Sequence, residues 1–262
     1  MRRVITALTF ALALPGIASA TILDSFNAGD LIVDFQFDDA MATAIEAVTP
    51  TVGAAFDADA DFGGAATNGA GQFDGSGKAN TAFGSSYSDV TAIDSGRVLG
   101  LFEVSWAFDE SIFDPAQDEE FRLTLVTNDP RSTFVTGETF FQRTSATEVT
   151  LFGNAVGTGS ADTADIVLGS SGSLLTIIDA NLGTDTLDLY YSADGGATFL
   201  ASTTGTLNAS RGVESVRLVL NEDFSDDTLL VERFAVATVI PEPTTATILL
   251  ATLALGSTRR RG

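Results

Sequence analysis

Residues 187–192 read Leu187-Asp188-Leu189-Tyr190-Tyr191-Ser192, and residues 216–221 read Val216-Arg217-Leu218-Val219-Leu220-Asn221. Apolar side chains recur at every second position, the period that separates the two faces of a pleated strand. Phe121, Leu123 and Leu125 repeat the pattern, with Arg122 and Thr124 between them. So does the stretch 229–236, where Leu230, Glu232, Phe234 and Val236 would share one face and Leu229, Val231 and Arg233 the other. Working outward from these four, further strand candidates lie at 31–37, 98–108, 133–141, 147–152, 164–168, 173–179 and 197–203. Clusters of Gly, Asn, Asp and Ser separate them, as turns require. The pattern predicts about eleven strands and little helix, with 41–48 the one short helical candidate in the body. The expected fold class is all-β: an antiparallel two-sheet sandwich or jelly roll. No repeat of propeller-blade length is visible, and no short period of a parallel β-helix.

The chain has 262 residues, 35 acidic and 13 basic, for a net charge of −22, and neither cysteine nor histidine. That composition excludes a disulfide framework, a zinc finger and any Cys/His metal cluster. It equally excludes Ser-His-Asp and Cys-His catalysis. The acidity argues against nucleic acid as a partner, since phosphate needs a basic footprint. About 220 residues between the two ends are enough to bury a core without covalent staples.

The first twenty residues read as a secretory signal. Arg2 and Arg3 form a positive start, residues 4–14 an apolar run, and Ala18-Ser19-Ala20 a small-residue cleavage site. Signal peptidase is expected to cut between Ala20 and Thr21. At the other end, Pro241-Glu242-Pro243 precedes fifteen uncharged residues, 244–258, and then Arg259, Arg260 and Arg261. As a helix those fifteen would span about 22 Å, short of a ~30 Å hydrocarbon core. Arginine snorkelling and local thinning would close the difference. The three arginines would stay cytoplasmic, with the body across the inner membrane. This gives three segments: 1–20, a signal helix; 21–240, the body; and 241–262, a single transmembrane anchor. Removing the ends leaves the body 34 acids and 8 bases.

The order Pro-Glu-Pro, short apolar helix, terminal arginine cluster closely resembles the PEP-CTERM sorting signal of Gram-negative bacteria. That resemblance covers residues 241–262 only. It implies processing near Pro241-Glu242-Pro243 by an exosortase and a mature form at the cell surface or outside it, in association with exopolysaccharide and biofilm. The body is similar, more faintly, to the concanavalin A-like, laminin-G-type jelly roll. Residues 31–38 resemble its opening strand, 68–77 the stretch that closes its first edge, and 185–203, 213–220 and 230–236 its hairpin and closing strands. The resemblance implies a carbohydrate-associated lineage and no fixed activity.

Several constellations are candidates for chemistry. Ser192, Asp194, Gly196, Thr198 and Phe199 resemble an Asp-box, present here once where sialidase-like propellers carry several. Physically it is a hairpin turn in which Asp bonds backbone N–H groups and Gly takes positive φ. Asp57, Asp59 and Asp61, alternating before Gly63-Gly64, resemble the start of a calcium loop. The sixth position is Phe62 instead of Gly, and the twelfth, Asn68, supplies no Glu. Sugar-binding platforms are sought in Trp106, the single tryptophan, and in Tyr190 and Tyr191, with Tyr87 an alternative; adjacent Tyr190 and Tyr191 must face opposite ways. Trp106 also suits the core. Paired carboxylates would suit glycoside hydrolysis. The Glu-x-Asp-x-x-Glu strand of many concanavalin A-like glucanases is absent, and Asp118-Glu119-Glu120 does not alternate. The expectation is a non-enzymatic surface or matrix protein that binds polysaccharide, with or without calcium. A carbohydrate-active enzyme on the same fold and a ligand-free spacer are the two alternatives.

Overall fold

The computed structural model describes residues 18–58, 61–117, 119–127, 135–155, 160–207 and 211–239, with residues 18–21 given in backbone only. The anchor and most of the signal segment lie outside these residues. In chain order the elements are α1 (Ala18–Ala28), β1 (Asp30–Phe35), β2 (Ala66–Thr67), β3 (Phe73–Asp74), β4 (Gly84–Ile93), β5 (Arg97–Ala107), β6 (Glu120–Val126) and β7 (Val135–Ser145). They continue with β8 (Glu148–Asn154), β9 (Ile166–Gly169), β10 (Ser171–Asn181), β11 (Thr186–Ser192), β12 (Leu200–Ala201), β13 (Gly205–Thr206), β14 (Val213–Asn221) and β15 (Thr228–Val239). Four of these fifteen strands have two residues; the other eleven are longer.

All pairings between the strands are antiparallel, in two sheets. The larger runs β12-β11-β10-β5-β15-β3-β2, with β1 also on β15 and β13 also on β11. The smaller runs β4-β14-β6-β7-β8-β9. Their facing sides hold one continuous apolar layer: Phe102, Val104 and Trp106 from β5, Phe234 and Val236 from β15, against Phe121 and Leu123 from β6, Phe141 from β7 and Leu218 from β14. Phe121 and Phe141 stack with centroids 4.6 Å apart. Gly100 of β5 lets the sheets approach: a Cβ there would sit 2.8 Å from Leu123 Cδ2.

The central strands of the larger sheet are apolar on both faces, so their outer side needs its own cover. Leu99, Leu101, Leu175, Ile177, Ala235 and Ala237 face outward there and form a second cluster with Ile22 and Phe26 of α1 and with Phe199. Ile22 and Phe26 are four apart and lie on one side of the helix. Helix α1 runs through the expected cleavage point, so a cut after Ala20 leaves Ile22 and Phe26 with the body. The periodicity did not anticipate this helix. Residues 41–48 contain only a single 3₁₀ turn, Ile45–Ala47.

Two further differences from the sequence expectation have clear causes. In β15 the pairing with β5 shifts register between Val231 and Arg233. Leu229 and Val231 therefore face the core before the shift and Phe234 and Val236 after it, which overturns the strict alternation expected from Leu230 to Val236. The ten-residue strand β4, Gly84–Ile93, has no apolar alternation to announce it. Its core-facing positions carry Ser86 and Ser88, in register with Leu218 and Val216. Their hydroxyls donate to the carbonyls of Asp57 (2.6 Å) and Ala54 (2.7 Å), so buried polar groups are paired. Residues 197–203, expected as a full strand, supply only β12.

The second cluster predicts the worth of α1. Replacing buried Phe26 by Ala should lower stability by about 3–5 kcal/mol, the usual penalty for emptying an aromatic site. Urea unfolding followed by the fluorescence of Trp106 reads this directly.

Candidate functional site

The residues singled out from the sequence are scattered. Trp106 is buried, with its ring 5.7 Å from that of Phe141 and its Nε1–H donating to the Gly169 carbonyl at 3.1 Å. One edge of it lines a cavity of about 330 Å³ with Leu174 and Ala193. Tyr191 faces the core side and lines a cavity of about 320 Å³ with Asp194, Thr198 and Leu200; Ala193 belongs to both cavities. Tyr190 points to the opposite side, against the cluster under α1. Burial, then the neighbouring Asp188, push its phenol pKa up.

The 192–199 turn is closed by its own side chains. Ser192 Oγ donates to Asp194 Oδ1 (2.6 Å), and the same carboxylate oxygen accepts the Thr198 N–H (2.8 Å). Gly196 N–H donates to Ser192 Oγ (2.9 Å), and Gly196 has φ +89°. Phe199 folds into the cluster below α1. The bond from Ser192, then that from Thr198, hold the Asp194 carboxyl below its ordinary pKa. In the acidic loop, Asp57 Oδ1 accepts the Tyr87 N–H (3.0 Å) and ties the loop to β4. Asp61 is exposed, and Asp59 lies outside the described residues. Among the described residues, no group of three or more carboxylates is placed to hold a metal. Ala18 and Ala20 fall in α1; Pro241, Glu242, Pro243, Arg259, Arg260 and Arg261 lie outside the described residues.

What the fold does bring together is a set of residues on the outer face of the smaller sheet. Register places Phe152 opposite Phe140, Phe140 opposite Arg122, and Arg217 opposite Tyr87. Phe140 and Phe152 pack with centroids 4.6 Å apart. The Arg122 guanidinium lies 4.3 Å from the centre of the Phe140 ring, within the range of a cation–π contact. Phe83, just ahead of β4, sits between two cations: its ring centre is 5.8 Å from the Arg122 guanidinium and 5.9 Å from that of Arg217. Arg217 also lies 5.7 Å from the Tyr87 ring and donates to its hydroxyl at 3.4 Å. The result is a band of alternating rings and guanidiniums across β8, β7, β6, β14 and β4. Phe83, 45% exposed, is its open member.

Polar groups border the band. Glu138, fully buried, accepts from Arg122 Nη1 (3.1 Å), Thr124 Oγ1 (2.8 Å) and Asn154 Nδ2. Glu120 pairs with the other arm of Arg122. Both carboxylates are thus held by one guanidinium. The arrangement is a rigid set of rings and fixed hydrogen-bonding groups, mostly buried, with Phe83 as its exposed member.

Elsewhere the acidity is partly buried. A cavity of about 280 Å³ is lined by Asp114, Glu119, Asp223, Asp226 and Asp227, with Gln117 and Ile112. Arg143 pairs with Glu119 (2.8 Å) and Asp227 (3.6 Å) from within. Desolvation pushes Glu119 and Asp227 above their ordinary pKa, outweighing Arg143. On the outer face of the larger sheet, desolvation first and then Glu232 push Glu103 up as well.

No protein-family model matches the sequence, and no curated protein matches it either. Among solved structures, the chain is similar in fold to the CBM2 module of the evolved Dit of Lactobacillus casei BL23 phage J-1. That match has 11% identity, covers 81% of this chain and 97% of the other, and has a TM-score of 0.50. Lectin II from Ulex europaeus matches at 10% identity over 65% of this chain and 88% of its own, with a TM-score of 0.42. The exoplasmic/lumenal domain of VIP36 matches at 8% over 63% and 78%, also at 0.42. The first of these likenesses defines the class: a two-sheet β-sandwich, shared as a fold alone.

The raised carboxyls fix a direction for pH. In the unfolded chain such groups titrate near pH ~4. Glu103, Glu119 and Asp227 titrate higher when folded, so between the two values the native state holds more protons. Stability therefore falls as pH rises through that window and is regained on acidification. Asp109 and Asp194, both lowered chiefly by bonds to neighbouring hydroxyl and N–H groups, act oppositely, and their contribution is lost at still lower pH. The urea midpoint should rise from pH ~7 to pH ~4.5 and fall below pH ~3.5. A midpoint that declines steadily from neutrality would contradict this account.

Proposed function

We propose that residues 21–240 form an exported, non-enzymatic polysaccharide-binding domain whose binding surface is the outer face of the six-stranded sheet. The carrying observation is the band of Phe152, Phe140, Arg122, Phe83, Arg217 and Tyr87. Phe83, 45% exposed, offers flat apolar area against the C–H face of a pyranose at little entropic cost, with the buried Phe140 and Tyr87 rings behind it. Guanidiniums, amides and carboxylates beside them offer directional bonds to hydroxyls. The commitment of Glu120 and Glu138 to Arg122 supports binding over hydrolysis. The two-sheet fold, similar to that of a CBM2 module, is consistent with this reading.

The termini supply the address in this proposal. Residues 1–20 direct the chain to signal peptidase, residues 241–262 hold it briefly in the inner membrane, and an exosortase processes it near Pro241-Glu242-Pro243. The mature domain then resides at the cell surface or in the extracellular matrix, among exopolysaccharide.

Two measurements test these parts separately. Affinity electrophoresis through gels containing the producing cell's exopolysaccharide should retard the protein. Phe83→Ala should abolish most of the retardation while leaving urea unfolding within about 1 kcal/mol, since Phe83 is half exposed. Equal mobility with and without polysaccharide would remove the binding proposal. Mass spectrometry of the protein recovered from the cell surface should find Thr21 as its first residue and no Arg259–Arg261 tail. An intact tail would contradict the sorting proposal.

A further inference from the structure

The basic residues of the body show what kind of glycan the face would take. Four of its arginines have carboxylate partners within the described residues: Arg97 with Asp179, Arg122 with Glu120 and Glu138, Arg143 with Glu119 and Asp227, and Arg233 with Asp34. Lys78, fully buried, is held by three oxygens at 2.7–2.8 Å from Asn80 and Ala82. Arg211 donates to the Val135 carbonyl, and the setting of Arg217 differs from all of these. It is 8% exposed, and among the described residues no carboxylate pairs with it. Its Nε has no hydrogen-bond partner, and its one bond to a side chain is the 3.4 Å contact with the Tyr87 hydroxyl.

A guanidinium stays charged at any physiological pH. Removing it from water without a counter-charge is among the more expensive things a fold can do. In a chain with 35 acids, a carboxylate partner for one more arginine would be easy to supply. The vacancy is also not alone. The Oγ of Ser215, two residues back on the same face of β14, is buried without a partner, and so is Nε of Arg122 on the next strand. Three unsatisfied buried polar atoms therefore share the face that carries the ring band.

We infer that this face takes an acidic glycan, one carboxylate or sulfate oxyanion of which is received locally by Arg217, against the long-range repulsion of the acidic body, while the sugar ring stacks on Phe83. Two oxygens of a carboxylate or of a sulfate match the guanidinium fork, and the charge-assisted bond is strongest where water is excluded. The Tyr87 hydroxyl, 3.4 Å from Arg217 Nη1, is a further donor, and the buried Ser215 hydroxyl shares the face two residues away. This inference rests on the binding role proposed above and adds to it the class of ligand.

The test uses the mature protein in affinity electrophoresis against three sets of gels: polygalacturonate, alginate and hyaluronate; dextran sulfate; and dextran with fully methyl-esterified pectin. Retardation by carboxylated or sulfated polymers and not by the neutral ones is the expected result, and the set that retards identifies the oxyanion. Arg217→Gln should weaken that binding roughly ten- to a hundredfold. It should leave the urea midpoint unchanged or higher, because an unpaired buried charge is gone. A purely structural Arg217 would give the opposite pair of results. Should Arg217→Gln fail to fold, Ser215→Ala serves instead, with an expected loss of roughly three- to tenfold. Retardation by neutral polymers alone would overturn the acidic-ligand inference and leave the binding proposal standing. Retardation by none, with mobility in the cell's own exopolysaccharide also unchanged, would remove both. Full binding by Arg217→Gln or, where it is used, Ser215→Ala would overturn the assignment of the oxyanion to Arg217.

Discussion

Phe102 of β5, Phe141 of β7 and Phe234 of β15 meet between the two sheets, with Phe102 6.2 Å from each of the others. This ring-on-ring contact is what makes one body out of two sheets. Each buried phenylalanine contributes on the order of 1.5–3 kcal/mol by leaving water, and edge-on rings add somewhat more. The layer continues through Trp106, Phe121 and Phe108 to Phe224. In the other direction it reaches Phe35 and Phe56, stacked at 4.0 Å. A close-packed layer fixes the distance between the sheets, and hence which side of every strand is inside.

That decision has consequences on both outer faces. The larger sheet has apolar residues left over on its outside, because β5, β10 and β15 are central strands. The helix α1 covers them, and Arg233 spans from Asp34 to the ring of Phe26 at its edge. The smaller sheet presents rings and guanidiniums instead. Its polar groups are largely held by one another, as in the set of Glu138, Arg122, Thr124 and Asn154. The two faces thus differ: one is covered by a helix of the same chain, and the other carries the band of rings and guanidiniums.

Much of the sandwich was legible in the sequence. Strands such as β6, β11 and β14 state their inner face by alternation, and their ends by Asn, Asp and Gly. The alternation also told that Arg122 and Arg217 point away from the core. It could not tell that Phe83 would lie between them, because the two arginines are 95 positions apart and meet only through the pairing of β6 with β14. Strand β4 was hidden because serines can face a core when backbone carbonyls lie opposite, a fact of tertiary placement. Tyr87 stood out as one of three tyrosines, but its partner Arg217 comes from the far side of the chain. Trp106 drew attention by rarity and proved to be committed to the core, with its one donor taken by Gly169.

The sequence by itself determined the strand period, the acidity, the lack of Cys and His chemistry, and the tight 192–199 turn. These are local properties, set by residue type and spacing within a few positions. Only the tertiary structure decided the shift in β15 that turns Phe234 inward, the seating of α1 on the larger sheet, and the assembly of the ring-and-guanidinium band. Each of these depends on which strands become neighbours and in what register. Register is settled when two distant segments bury their apolar sides together, and no single segment contains that information.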